Sequence, residues 1–169
     1  MLVSDHSVPS DEAVMDQETL ATKLEDAICT ARAWLLKLDE ASVRHRPSAE
    51  VWSIAEVMGH LVDSACNNHQ RFIRAQDEGG LVFPKYEQRT WVERSNYGNT
   101  DWRQLVEFWY LYNQQIARIM RRIPTECLCT SCTIGPYQPC TLDFLLRDYI
   151  EHLDHHLSKI RERTSSLGG

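Results

Sequence analysis

The sequence predicts an all-α fold, a four-helix bundle with up-down-down-up topology. Four segments carry apolar residues at helical spacing, and no segment alternates convincingly like a strand. The connection between the second and third helices, residues 79–99, is unusually long for neighbours in a bundle. An up-down-down-up bundle needs such a connection, because its second and third helices run parallel. We therefore expect four helices around one shared core.

The first two helices are predicted from their apolar stripes and end signals. The first spans about Asp16 to Glu40, and the second spans Ser53 to about Glu78. Ser53 followed by Glu56 is the pattern of a capping box, and Gly79 follows the second helix as a stop signal. The stripe of the first helix consists of Leu20, Leu24, Ile28, Ala31, Leu35 and Leu38.

The third helix shows the most regular pattern and spans Thr100 to Ile123, with Thr100 as the expected N-cap and Pro124 after its end. The fourth helix starts at Thr141 and ends near Glu162. These limits place the bundle at residues 16–162, between a flexible N-terminal segment, residues 1–15, and a flexible tail, residues 163–169.

Composition and charge exclude several classes of partner. The chain has 169 residues, with 18 Lys and Arg against 24 Asp and Glu, a net charge of −6. An acidic chain without a basic stripe is a poor ligand for nucleic acid, and no apolar run is long enough to span a membrane. The polar, acidic start lacks the features of a signal peptide, which predicts a cytoplasmic protein. Small molecules remain as expected partners, and a homodimer through an exposed helix face stays open.

The histidines are the first candidate site. His152 and His156 are four residues apart on one predicted helix, a spacing that lets two imidazoles face one metal ion. His60 is the natural third ligand: it lies about 10 Å from the start of its helix, and His156 lies about 9 Å from the end of its own. These levels coincide only if the second and fourth helices are antiparallel, as the predicted topology requires.

An alternative interpretation is a set of surface histidines, because His60 falls on the polar flank of its helix. We expect His69, on the opposite side, to pack or lie at the surface. His155 can line the same cleft, although a surface position is the simpler expectation.

Two other segments also carry chemistry. Cys127, Cys129, Cys132 and Cys140 lie in one loop, and either form a second, structural zinc site or remain reduced thiols; their spacing favours reduced thiols. The long connection holds an aromatic and polar mixture that either covers a substrate pocket or packs onto the core. Its members are Phe83, Pro84, Tyr86, Glu87, Gln88 and Trp91.

Two stretches resemble a known family. Residues 51–63, VWSIAEVMGHLVD, and 148–160, DYIEHLDHHLSKI, are similar to the two characteristic stretches of the DinB-like family, also called DinB/YfiT-like metal-dependent hydrolases. The resemblance covers nearly the whole predicted bundle. It implies an up-down-down-up bundle in which His60, His152 and His156 bind a divalent metal ion. Zn, Ni, Fe and Mn all remain candidates, because histidine-rich sites accept several metals.

The resemblance also suggests a reaction class. Family members with known activity depend on thiols, as bacillithiol S-transferases and mycothiol-dependent maleylpyruvate isomerase do. We therefore expect a metal-dependent thiol S-transferase or hydrolase that acts on small electrophiles, with a low-molecular-weight thiol as a candidate partner. Asp63 and Asp148, one turn from His60 and His152, are candidates to orient a ligand or accept a proton. The alternative is a non-catalytic bundle that binds a metal or ligand in a stress response.

Overall fold

The computed structural model describes residues 16–167 and confirms a mostly helical protein built on four long helices. The helices are α1 Gln17–Leu35, α2 Glu40–Arg44, α3 Ile54–Arg74, α4 Gln88–Ser95, α5 Trp102–Arg122 and α6 Leu142–Leu167. The strands are β1 Leu81–Phe83, β2 Ser131–Ile134 and β3 Cys140–Thr141. Short 3-10 helices span Tyr97–Asn99 and Thr125–Cys129. Helices α1, α3, α5 and α6 are the four that the apolar periodicity predicts.

Side-chain caps fix where the long helices begin. The Asp16 carboxylate accepts a hydrogen bond from the Thr19 amide at the start of α1, at 2.8 Å. The predicted capping box of α3 is confirmed, with Ser53 and Glu56 each accepting from the other's backbone amide. The predicted cap of α5 is one residue too early: Asp101, whose carboxylate reaches the Gln104 amide, is the N-cap instead of Thr100.

The direction of α5 and α6 relative to α1 follows from contacts at their ends. Arg32, late in α1, pairs with Glu107, early in α5. At the other end of α1, Glu18 pairs with Arg121, late in α5. Helices α1 and α5 are therefore antiparallel. Arg161, late in α6, lies over the ring of Trp34, also late in α1, so α1 and α6 are parallel.

Helices α3 and α6 run antiparallel. His60, early in α3, lies beside His152, whereas Phe72, late in α3, contacts Tyr149, nearer the start of α6. Helix α3 is consequently antiparallel to α1 and parallel to α5, which gives the predicted up-down-down-up topology. One apolar core fills the space between the four helices, and Trp109, Phe72, Ile28 and Met58 are among its fully buried side chains.

The long connection between α3 and α5 contains structure that the periodicity does not predict. Strand β1 pairs in parallel with β2, and β2 pairs antiparallel with β3, which gives a three-stranded sheet in the order β1-β2-β3. The strands have two to four residues each, too short for an alternating pattern to be recognised. Helix α4 packs along α3 and buries Val92. The connection therefore covers one side of α3.

The end of the bundle also differs from the prediction. Helix α6 continues to Leu167, beyond the predicted end at Glu162, and the Arg163 guanidinium donates to the carbonyl of Trp52 at 2.9 Å. This bond ties residue 163, assigned above to a flexible tail, to the segment before α3. The predicted flexible segment 1–15 and residues 168–169 lie outside the described residues. Within residues 16–167, each helix is too short or too polar to cross a membrane.

Candidate metal centre

Three histidines from two helices meet in the cleft between α3 and α6. The Nε2 atoms of His60 and His152 are 3.1 Å apart. The ring centroids of His156 lie 4.9 Å from His60 and 4.6 Å from His152. Each residue offers one nitrogen such that all three lie within 4.8 Å of one another. The structure thus brings together the three histidines that the sequence singles out.

The polar flank that carries His60 is buried instead of facing solvent. His60 is 1% exposed, and the Trp52 ring covers it at a centroid distance of 5.4 Å. His152 and His156 are half-buried. The interpretation of His60 as a surface histidine is therefore wrong, because the Trp52 ring and α6 enclose this flank.

Burial keeps these imidazoles neutral. Desolvation lowers the pKa of His60 to about 3 and that of His156 to about 4, and the neighbouring imidazoles lower both further. Desolvation also lowers the pKa of His152, although Asp148 opposes this effect. Neutral imidazoles have the free lone pairs that metal coordination requires.

The spacing of the nitrogens fits a shared ion. Two nitrogens bound to one tetrahedral ion at about 2.0 to 2.1 Å lie about 3.3 Å apart, close to the Nε2 separation of His60 and His152. One nitrogen of His156 lies within 4.8 Å of one nitrogen of each of the other two histidines. The Nδ1 atom of His60 has no hydrogen-bond partner among the described residues. Three neutral imidazoles leave at least one position of a tetrahedral ion open to another ligand.

A cavity of about 420 Å³ reaches this cluster through His152. Helix α3 lines it with Ser64, Asn68 and Arg71, which continue the stripe that begins at His60. The long connection adds Lys85, Tyr86 and Gln88. The opposite wall consists of Ile134, Tyr137, Gln138, Cys140, Phe144, Leu145, Asp148 and Tyr149. This volume suits a small molecule.

The two carboxylates predicted beside the histidines have different surroundings. Asp148 lines the cavity together with His152. Asp63 is buried and accepts a hydrogen bond from the Tyr97 hydroxyl at 2.7 Å, while its second oxygen has no partner among residues 16–167. Burial raises the pKa of Asp63, and the bond from Tyr97 opposes the rise. The structure thus places Asp148 in the cavity and Asp63 in a pair with Tyr97.

His69, His155 and the cysteines lie outside the cluster. The Nδ1 atom of His69 lies 3.1 Å from the hydroxyl of Tyr112, in a packing contact between α3 and α5. His155 is exposed, with its ring 5.3 Å from that of His156. Within the described part of the chain, no three of the cysteine thiols converge as the three histidines do. Cys132 and Cys140 instead lie opposite each other on β2 and β3.

The aromatic connection forms walls of two cavities. Tyr86 and Gln88 line the cavity at His152, and burial raises the pKa of Tyr86 to about 12. Phe83, Pro84, Glu87 and Trp91 line a more open cavity of about 960 Å³, which no histidine lines. Phe83 also packs against the core. The connection therefore does both things that the sequence suggests, because part of it lines a cavity and part of it packs onto the core.

Two residues of the site are not apparent from sequence spacing. Tyr97 approaches α3 at Gly59, where a Cβ atom would lie 2.0 Å from the Tyr97 ring. A glycine next to His60 is the signal for this close approach. Arg71 lies on the polar flank of the second predicted helix, and nothing in its spacing shows that its side chain enters a cavity.

Comparison with known proteins places the chain in a family. The solved structure of YfiT from Bacillus subtilis matches with a TM-score of 0.79 at 17% identity, over 99% of this chain and 94% of that chain. YfiT is described as a probable metal-dependent hydrolase with an unusual four-helix bundle topology. Comparison with curated proteins gave no match. The family model of the DinB superfamily matches residues 23–160, so the chain belongs to the DinB superfamily.

Proposed function

We propose that this protein is a divalent-metal-dependent enzyme that acts on small molecules, as a hydrolase or a thiol S-transferase. The observation that carries the proposal is the meeting of three imidazoles in one cluster that adjoins, through His152, a cavity of about 420 Å³. Metal sites with three histidines and an open position are typical of catalytic ions. The description of YfiT as a probable metal-dependent hydrolase supports the same class.

His60, His152 and His156 would hold the ion. When bound, a divalent ion lowers the pKa of a water or thiol ligand and thereby supplies a nucleophile at neutral pH. Trp52 and the burial of His60 exclude water from the far side of the cluster. Substrate reaches the cluster from the side of His152, which lines the cavity.

Asp148 is the proposed proton acceptor. It lies one turn before His152 on α6 and faces the same cavity, where a nucleophile would lose its proton. We assign Asp63 a positioning role, because its carboxylate is buried and bonded to Tyr97. That bond joins α3 to the segment after α4 and holds the wall of the site in place.

The first experiment measures metal content in untagged protein. We expect about one divalent ion per chain, and we expect His60→Ala and His152→Ala to lose it. His69→Ala is the matched control, since it removes a histidine of α3 that lies outside the cluster. Absence of metal from the wild type after incubation with Zn, Ni, Fe and Mn would contradict the proposal.

The second experiment separates the reaction classes. Loaded protein is assayed with activated esters and amides, and with small electrophiles in the presence of low-molecular-weight thiols. Turnover without thiol indicates a hydrolase, and thiol-dependent turnover indicates a transferase. Loaded protein that is inactive with all of these substrates would favour a non-catalytic metal-binding or ligand-binding bundle.

A further inference from the structure

Arg71 lines the cavity and forms no ion pair with a carboxylate of the described residues. Its Nη1 atom donates to the side-chain oxygen of Asn68 at 3.3 Å, and its guanidinium carbon lies 5.5 Å from the centre of the Phe83 ring. Its Nε atom is buried and has no hydrogen-bond partner among the described residues. No carboxylate of residues 16–165 forms an ion pair with it, although 24 acidic residues make the chain acidic overall.

A half-buried guanidinium that forms no ion pair within the described residues is energetically unfavourable. Burial lowers the pKa of Arg71, and the nearby acidic groups, Tyr86 and Asp148 first among them, only partly oppose this. A buried charge is normally retained where something pairs with it. Because no described residue forms an ion pair with Arg71, an external anion is the natural complement.

The free edge of the guanidinium defines the shape of that anion. Asn68 accepts a hydrogen bond from Nη1, and the buried Nε has no partner among the described residues. Nε and Nη2 share one edge of the planar group, where their N–H bonds point in parallel. This fork matches the two oxygens of a carboxylate, with two charge-assisted hydrogen bonds. Lysine cannot reproduce it, because an ammonium group has no planar pair of donors.

The rest of the lining defines the body of the ligand. The wall opposite α3 presents Phe144, Leu145 and Tyr149, and Tyr86 and Tyr137 extend this apolar surface. Lys85, the other cationic residue of the lining, is paired with Glu87 at 3.5 Å. Asn68, which anchors the guanidinium, lies eight residues after His60, on the order of 10 Å along α3.

From these observations we infer that the substrate of the cavity carries a carboxylate that binds Arg71, joined by an apolar or aromatic body to a reacting group at the histidines. The inference rests on the proposed function, because it takes this cavity as the substrate site. Arg71 would then select substrates in which the carboxylate and the reacting group are on the order of 10 Å apart. Neutral analogues would bind weakly, because they leave the guanidinium of Arg71 without an ion pair.

The test measures binding directly in metal-free protein labelled with ¹⁵N-arginine. The probes are 3-phenylpropionate and its neutral isostere 3-phenylpropionamide, titrated while the Nε–H signals are followed by NMR. We expect the carboxylate to bind about 10-fold or more tightly than the amide and to shift the Arg71 signal. Equal affinity for the two probes, no binding of the carboxylate at millimolar concentration, or binding without a shift at Arg71 would overturn the inference.

Two variants of Arg71 and one control extend the test. Arg71→Gln should lose the preference for the carboxylate, and Arg71→Lys should keep only a small part of it. Arg74→Gln is the matched control, because Arg74 lies on the next turn of α3 and lines the other cavity. Circular dichroism and thermal melting establish whether each variant is folded. If a variant does not fold, the titration of the wild type still tests the inference. Retention of the preference in a folded Arg71→Gln protein would contradict the inference.

The same titration separates this inference from the proposed function. It is repeated with His60→Ala and His152→Ala, which need no metal for the measurement. A preserved preference for the carboxylate in these variants shows that the Arg71 site does not depend on the histidines. If the wild type shows the preference but binds no divalent ion, the metal-dependent enzyme is refuted and the Arg71 site stands; if it binds the ion but shows no preference, the Arg71 site is refuted and the proposed function stands.

Discussion

Gly59 controls how closely Tyr97 can lie against α3. A Cβ atom at this position would lie 2.0 Å from Cδ2 and 2.6 Å from Cβ of Tyr97, a clash with the part of the side chain nearest the backbone. The Tyr97 ring cannot rotate away without losing its 2.7 Å hydrogen bond to Asp63. The absence of a Cβ atom at Gly59 therefore allows the close contact between α3 and the segment after α4.

We predict that Gly59→Ala destabilises the protein by about 3 kcal/mol, because overpacking at a close contact forces the neighbouring group to move. Urea unfolding at neutral pH measures the change. Gly98→Ala is the matched control, since a Cβ there meets only the Glu56 side chain, at 3.9 Å. Equal stability of the two variants would show that Tyr97 has room to move.

Asp148 gives a second prediction at this scale. If it accepts the proton of the nucleophile, Asp148→Asn should retain the metal and lose about 10²- to 10⁴-fold in kcat. Metal analysis and steady-state kinetics are made on the same preparation. Asp154→Asn, on the same helix and outside the lining of this cavity, is the control. Full activity of Asp148→Asn would exclude Asp148 as the proton acceptor.

The sequence identified some residues of the site better than others. His60, His152 and His156 were predictable because helical spacing and a shared level bring ligands together before any tertiary detail is known. The burial of His60 was not, because it depends on how Trp52, in the segment before α3, folds back over the ring, and on the packing of α6. The position of Arg71 in the cavity was not predictable either, because the sequence pattern of an arginine on a polar helix flank is the same whether the side chain faces solvent or a cavity.

At the scale of elements, the start of α3 combines three interactions on one carboxylate. Glu56 accepts from the Ser53 amide at 2.8 Å and pairs with the Arg46 guanidinium through two nitrogens. The Arg46 side chain holds the pKa of Glu56 down at about 2, with help from the Ser53 amide and against the effect of burial. The carboxylate therefore fixes the end of α3 that carries His60.

This pKa predicts a pH dependence of stability. The folded-state pKa of Glu56 is depressed from 4.5, so its contribution is complete above about pH 4.5 and is lost as the pH falls toward about 2. We expect Glu56→Gln to cost about 1 to 3 kcal/mol at pH 7, with a smaller difference at pH 3. Urea unfolding at both pH values measures this. Glu50→Gln, whose side chain is 84% exposed, should show little change at either pH. A cost of Glu56→Gln that is independent of pH would contradict the assignment.

The long helices and the connections differ in how far sequence predicts them. The helices have apolar stripes several turns long and explicit caps, so their existence and order follow from the pattern alone. Strands β1, β2 and β3 form because distant segments pair, with Leu81 opposite Cys132 and Cys132 opposite Cys140. No local pattern of two to four residues can reveal such pairing. The lining of the cavity depends on these connections, and for that reason it could not be predicted.

For the whole molecule, the candidate site depends on the relative direction of two helices. His60 lies near the start of α3, and His152 and His156 lie on either side of the middle of α6. The antiparallel packing of α3 and α6 places the three histidines at one level. The parallel pair α3 and α5, with the long connection between them, makes that packing possible. The histidine cluster thus forms within the up-down-down-up topology, from one helix of each direction.

A ligand that binds both α3 and α6 should stabilise the entire fold, since it binds the folded chain and not the separated helices. At a free metal concentration of 100 times Kd the gain is about 2.7 kcal/mol, which corresponds to a rise of roughly 5 to 10 °C in Tm for a domain of this size. Thermal melts of chelator-treated protein over a series of Zn concentrations measure it. His152→Ala should show no such rise, and Cys129→Ser, which removes an exposed thiol outside the cluster, should behave as wild type. If Zn raises the Tm of His152→Ala as much as that of the wild type, the ion binds elsewhere and the histidine cluster is not the metal site.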